Sequence, residues 1–202
     1  TAGGEANVVV GNYAGDAITS GDHNAAIGHG ALGAVNSGRF NSALGRDSGT
    51  NLTTGNNNSF IGYNAQSSAV DVSNEITFGS ADVSALRSAD QSIAALSDGR
   101  DKTDVIDLPH GLDFINQTRP VRFKWDIRDG QPGEGKQGTT NYGFIAQELL
   151  EIGNNEEHRL VYESNPDKLE ARYGNLIPMM AQAIKELSTK NDSLETSNTA
   201  LI

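Results

Sequence analysis

Asn24-Ala25-Ala26-Ile27-Gly28-His29-Gly30-Ala31 returns as Asn41-Ser42-Ala43-Leu44-Gly45-Arg46-Asp47-Ser48 and again as Asn58-Ser59-Phe60-Ile61-Gly62-Tyr63-Asn64-Ala65. Each return is 17 residues on. The main glycine series is Gly11, Gly28, Gly45, Gly62 and Gly79, and the residue before each is apolar: Val10, Ile27, Leu44, Ile61 and Phe78. A second series, Gly21, Gly38 and Gly55, keeps the same step behind Ser20, Ser37 and Thr54, and Asn7 heads the asparagine series. A fixed period of this size marks a stacked array whose single unit cannot bury its own face. The unit reads as a short strand, a glycine that allows a positive φ or a close backbone approach, and a second turn. Its apolar side chains are few and small. Several chains sharing one axis, as in a trimeric β-helix or β-prism, would supply the missing core. A calcium-binding β-roll needs a nine-residue Gly-Gly-x-Gly-x-Asp repeat, which is absent.

Working outward, the register is lost from Ala81 to Ala95, and residues 81–96 read as a connecting segment. The composition changes at the same place. Residues 1–96 hold 14 of the 23 glycines, no proline, and 3 Lys and Arg against 8 Asp and Glu; all five prolines and the one tryptophan follow. The expected organisation is a β repeat fibre over residues 1–80, a connector over 81–96, and a small α+β domain over 97–202.

The net charge of −11 disfavours nucleic acid as a partner. With no cysteine there is neither a disulfide nor a thiolate metal site. No apolar run approaches the roughly 20 residues of a membrane span, and no signal peptide is visible. The chain opens on Thr1 without an initiator methionine, and a longer parent protein is expected. His23 and His29 lack a second ligand at metal spacing and read as structural or exposed, so no metal or other cofactor is expected.

At the border stands Ser97-Asp98-Gly99-Arg100-Asp101-Lys102. A serine and a lysine five residues apart are the components of a dyad in which a neutral amine takes the hydroxyl proton. The same six residues also read as a polar turn flanked by solvated charges. Beyond them, Pro109 announces a short helix with Leu112, Phe114 and Ile115 apolar, and 120–125 alternates as a strand. Residues 128–141 carry five Gly and Pro and read as an exposed loop. Tyr142–Leu150 runs from an extended entry into a helix, and 160–162 and 169–173 read as short strands. Asn175 is placed to cap a last helix over about 175–202. Ile177, Ile184, Asn191 and Asn198 fall at heptad a, with Met180, Leu187, Leu194 and Leu201 at d. That stripe fits either packing on its own domain or an oligomer seam, and the two asparagines at a favour the seam.

The repeats resemble those of phage tail fibres and, less closely, the heads of trimeric autotransporter adhesins. Three later motifs carry a second resemblance: Ser97-Asp98-x-Arg100-x-Lys102, Tyr142-Gly143-Phe144-Ile145-Ala146-Gln147-Glu148, and Tyr173-x-x-Leu176-Ile177-Pro178 with Ala183-Ile184-Lys185-Glu186-Leu187. Together they are similar to the C-terminal intramolecular chaperone of phage endosialidases and tail fibres, over about residues 97–190. The resemblance implies a homotrimer in which this domain assists assembly of the preceding fibre and then cuts itself off between Leu96 and Ser97. Ser97 would be the nucleophile and Lys102 the base, with Asp98, Arg100 and Asp104 in support. Arg100 is expected to lower the lysine's proton affinity or to bind the oxyanion. Asp104 departs from the family, many members of which have Asn there, and would hold Lys102 protonated. The loop of 128–141 would be an arm over the fibre. A virion location, assembly in the host cytoplasm and a host-cell surface receptor, glycans included, complete the expectation. The alternatives are a structural adhesin tip with a permanent C-terminal cap and, less favoured, a glycan hydrolase, for which the repeats offer no paired carboxylates.

Overall fold

The computed structural model describes residues 4–90, 92–128 and 136–200. The chain forms two compact units: Thr1–Leu86 with Lys124–Thr140 and Ser164–Lys168, and Arg87–Phe123 with Asn141–Glu163 and Leu169–Ile202. The centre of the 128–141 loop, residues 129–135, lies outside the described residues.

The first unit is a β-solenoid. Strands β1 (Val8–Val10), β2 (Ala25–Ile27), β3 (Ser42–Leu44), β4 (Ser59–Ile61) and β5 (Ile76–Phe78) stack in parallel and in chain order. Each pairs with the residue 17 positions on: Val10 with Ile27, Ile27 with Leu44, Leu44 with Ile61, Ile61 with Phe78. The middle residue of the inner strands points inward, so Ala26, Ala43 and Phe60 are buried together with Leu32, Val35 and Leu52. Each coil therefore closes over a core of its own, slender as that core is.

Backbone φ and the space between coils set the repeated turn positions, and the main glycines answer to both. Gly11, Gly28 and Gly45 sit at φ 132°, 134° and 133°, a region open to glycine alone. The corners at Ala6, His23, Phe40, Asn57 and Asn74 turn at φ between 55° and 65°, the left-handed well that a side chain can enter at a cost. That explains why Gly11, Gly28 and Gly45 are all glycine while the corners at Ala6, His23, Phe40, Asn57 and Asn74 vary. Gly21, Gly38 and Gly55 have ordinary φ values but no room: a Cβ on Gly38 would lie 2.5 Å from the Gly55 carbonyl oxygen.

The asparagines form a continuous buried ladder. Asn41 Oδ1 accepts from the backbone N–H of Asn58 at 3.0 Å and from its Nδ2 at 3.0 Å, while Asn41 Nδ2 donates to Asn24 Oδ1 at 3.1 Å and to the Gly55 carbonyl at 2.9 Å. The ladder starts at Asn7 and ends where Glu75 N–H donates to Asn58 Oδ1 at 2.9 Å. Asn41→Ala would leave the sealed Asn58 amide and the Gly55 carbonyl without these partners. A loss of about 2–4 kcal/mol is expected, read as a shift in the denaturant midpoint of the solenoid. Asn12→Ala, outside the ladder, serves as the control.

Two excursions from the C-terminal half belong to the same unit. Ser164 Oγ lies 2.7 Å from Ser68 Oγ, and Asn165 Nδ2 donates to the Ser68 carbonyl at 2.9 Å. The Arg128 guanidinium donates to the Asp167 carbonyl, joining the two excursions. Trp125 pairs with Thr139 and Gly138 through the backbone, and Gln137 bridges Asp126 and the Ile127 amide.

The second unit is a small α+β body. Strands β6 (Val121–Lys124) and β7 (Thr140–Gly143) make one two-stranded sheet, and β8 (Val161–Tyr162) and β9 (Glu170–Ala171) make another. Helices α1 (Leu112–Ile115), α2 (Ala146–Glu151) and α3 (Asn155–His158) precede the long α4 (Leu176–Thr199). Phe114, Leu149, Leu160, Val161, Leu176 and Met179 form the core. Glu186 on α4 accepts from the Leu112 amide at 2.8 Å, and this backbone bond is the chief cause of its lowered pKa.

Several local expectations shift. The first helix begins at Leu112 rather than beside Pro109, and α3 was not foreseen. Asn175 ends a 3-10 turn and gives α4 no side-chain cap; its amide instead donates to the carbonyls of His158 and Arg159 at 3.3 and 2.8 Å. On α4 the face turned to its own domain is Leu176, Met179 and Ala183, all buried. The heptad positions Ile177, Met180, Ile184, Leu187 and Leu194 lie 50–68% exposed on the single chain. Leu201 lies outside the described residues.

Candidate functional site

The border segment is drawn out and accessible. From Asp82 to Ser97 the described residues are exposed, and Leu96 is fully open to solvent. Its described residues follow no strand or helix, and the apolar Leu86, Ile93 and Leu96, set among small and polar residues such as Ser84, Ala85, Ser88 and Ala89, stand exposed on the single chain. Gly99–Asp101 then forms a single 3-10 turn, capped by Asp98, whose Oδ1 accepts from the Arg100 amide at 2.9 Å.

The turn folds Lys102 back towards Ser97. Lys102 Nζ stands 2.6 Å from Ser97 Oγ and 3.3 Å from the Ser97 carbonyl oxygen. The sequence separation of five thus becomes direct contact. The hydroxyl lies within proton-transfer distance of the amine, and the Leu96 carbonyl carbon belongs to the peptide bond immediately preceding the serine.

The supporting residues divide. Arg100 is taken up by Asp98: Nε donates to Oδ1 at 3.0 Å and Nη2 to Oδ2 at 2.6 Å. The guanidinium lowers the pKa of the Asp98 carboxyl, mainly through this side-chain bond, and the carboxylate raises that of Arg100 in return. The expectation that Arg100 acts on Lys102 or on an oxyanion therefore meets a guanidinium already committed to a neighbouring carboxylate. Asp104 adopts a left-handed φ of 53° and accepts from the Thr103 hydroxyl at 3.3 Å. Among the described residues no ion pair joins it to Lys102. Asn tolerates the left-handed region as well as Asp does, which gives a backbone reason for either residue at this position.

His23 stacks on Phe40 at 5.2 Å, and His29 lies beside Tyr13 and 3.6 Å from Asp47. Both sit on the solenoid's turns.

A β-solenoid is thus followed in the chain by a small α+β body, with a serine and a lysine in contact where the two sequence regions meet. Residues 97–158 match the family described as chaperone of endosialidase, a family of self-cleaving peptidase type. No curated protein and no solved structure matches the chain. No helix among the described residues is long and apolar enough to cross a membrane.

Proposed function

We propose that the chain is the C-terminal part of a phage tail fibre or tailspike, in which the chaperone domain directs trimerisation and folding of the β-solenoid. It then releases itself by cutting between Leu96 and Ser97. The observation that carries the cut is the 2.6 Å approach of Lys102 Nζ to Ser97 Oγ, directly after an open Leu96, within the family-matched stretch. Ser97 Oγ attacks the Leu96 carbonyl carbon and its proton passes to the neutral Lys102 amine. The C–N bond to Ser97 breaks, the lysine returns the proton to the leaving Ser97 nitrogen, and an ester joins Leu96 to Oγ. Water hydrolyses this ester, leaving the Leu96 carboxylate and a free Ser97 hydroxyl and amine.

A neutral lysine is favoured by burial or by a nearby cation. On the single chain Lys102 is exposed and Arg100 is paired. Covering of the border segment by neighbouring chains would supply the burial, so cutting would follow assembly. Arg100 would join the chemistry only by leaving Asp98.

Two outward apolar stripes support a homotrimer. Val10, Ile27, Leu44, Ile61 and Phe78 stack down one face of the solenoid, 44–57% exposed, and the heptad positions of α4 make the second. The solenoid stripe repeats at the coil step, so the matching surface needs the same step, which another copy of this chain has. The heptad spacing with Asn191 and Asn198 at a suits a register-setting coiled coil. Register is the physical difficulty of such a fibre: a slip of 17 residues pairs like with like, and intermolecular β-pairing is slow and aggregation-prone. A locally folding body that gathers the chains raises their effective concentration. The excursions of 124–128, 136–140 and 164–168, which group with the solenoid unit, fit a domain that reads the fibre's completion. The solenoid would face a host-cell receptor, and the particle would be the virion, assembled in the host cytoplasm.

The deciding experiment is a denaturing gel of the purified chain with N-terminal sequencing of any smaller band. A fragment opening Ser97-Asp98-Gly99 supports the proposal. A stable, uncut, folded assembly returns the chain to an adhesin tip with a permanent cap.

A further inference from the structure

His110, Glu157 and His158 come together in the second unit although 47 residues separate the first two. His110 precedes α1, and the other two end α3. One ligand atom from each lies within 4.8 Å of the others, and His110 Nε2 is 3.4 Å from Glu157 Oε1. The imidazoles meet edge to face with centroids 4.4 Å apart, and Phe114 closes the third side at 5.0 Å from His158.

His158 is the telling residue. Both its ring nitrogens are sealed from solvent and neither has a hydrogen-bond partner. A neutral imidazole has one N–H and one lone pair, and burying both unmet is costly. Such a group calls for a specific explanation, of which a bound ion is one. Gly153 leaves room for the ring: a Cβ there would lie 2.5 Å from His158 Nδ1.

We propose that His110, Glu157 and His158 form a site for a divalent transition metal of the zinc class. Two imidazole nitrogens and one carboxylate oxygen are the donor set that borderline-soft zinc takes, with water completing the tetrahedron. Ligand atoms within 4.8 Å reach bonding distance by small side-chain rotations, and Glu157 and His110 are free to make them because both are partly open to solvent. Magnesium and calcium, which prefer all-oxygen shells, are not suited. The ion would tie the lead-in to α1 to the end of α3, which Asn175 already holds to the start of α4. It would brace this unit; no step of the cutting chemistry uses it.

The test is calorimetric titration of the full chain with Zn2+, alongside Co2+ as a spectroscopic probe, on a Ser97→Ala background so that the chain remains whole. One Zn2+ per chain, visible Co2+ bands of a tetrahedral site and a Zn2+-dependent rise in melting temperature are expected. His110→Ala and Glu157→Gln should each weaken binding by about 10- to 100-fold or more. His158→Phe keeps an aromatic ring and removes both nitrogens, so it should fold and bind no zinc. If that variant fails to fold, the first two still decide. His29→Ala, in the solenoid, should bind as wild type. Absence of saturable binding, retention of wild-type affinity in His110→Ala/Glu157→Gln, or equal binding of Mg2+ would overturn the proposal, leaving an aromatic cluster only.

Discussion

Ser97→Ala is expected to remain a single full-length band under conditions in which the unsubstituted chain splits into a piece ending at Leu96 and a piece beginning at Ser97. Removing the nucleophile should cost about 10³-fold in rate or more, so that no fragment appears over days. Assembly should survive, because the Ser97 hydroxyl belongs to no core and its contact is with Lys102. Lys102→Ala should slow cutting about 10²- to 10⁴-fold, the usual scale for a lost general base. The pairing of Arg100 with Asp98 separates two roles. Arg100→Ala should have a smaller effect than Lys102→Ala if the guanidinium serves the turn, and a comparable one if assembly moves it onto the reacting carbonyl. Cutting should vanish in denaturant and be independent of chain concentration once assemblies have formed. Wild-type cutting rates in Ser97→Ala would remove the dyad and point to a contaminating protease.

The second large effect concerns assembly. On the Ser97→Ala background, sedimentation equilibrium should give about 64 kDa, three chains of 21.3 kDa each. Leu187→Lys with Leu194→Lys places charges on the outward face of α4 and touches none of its buried residues, Leu176, Met179 and Ala183. The second unit should therefore keep its fold while trimer is lost and insoluble chain accumulates. Ile27→Lys with Leu44→Lys asks the same of the solenoid stripe, where the inward residues Ala26 and Ala43 are untouched. A monomer at micromolar concentration in the parent chain, or unchanged trimer in both double variants, would refute the two seams. Made instead in the chain that keeps Ser97, the same double variants should lose cutting along with trimer, which would tie the chemistry to assembly.

Much of the solenoid was legible because its information is local and repeated. A period of 17 with a glycine, an asparagine and an apolar residue at fixed offsets leaves few foldings that satisfy all three. What was not legible was why each residue is needed. Gly28 and Gly38 look alike in sequence, and a Cβ on either would lie 2.5 Å from a carbonyl oxygen of the next coil, yet Gly28 alone also answers a φ of 134°. The apolar content per coil seemed too small for a self-contained core, because counting does not say that Phe60, Leu32 and Leu52 point inward while Ile27, Leu44 and Ile61 point out.

The site shows the same division. Ser97 and Lys102 could be paired by type and spacing, since one turn of chain joins them. The partner of Arg100 could not, because a choice between a carboxylate two residues back and an amine two residues on depends on side-chain geometry. On α4 the heptad stripe was readable, whereas the separate face of Leu176, Met179 and Ala183 emerged only with the domain it packs against. His110, Glu157 and His158 left no trace in the sequence at all, because nothing in a separation of 47 residues sets a distance. Short-range spacing and periodicity are properties of the chain alone, and they determined the repeat, the border serine and lysine, and the heptads. Which face is buried, which charge is neutralised and which distant residues meet are decided by packing in three dimensions, where positions far apart in sequence compete for the same space.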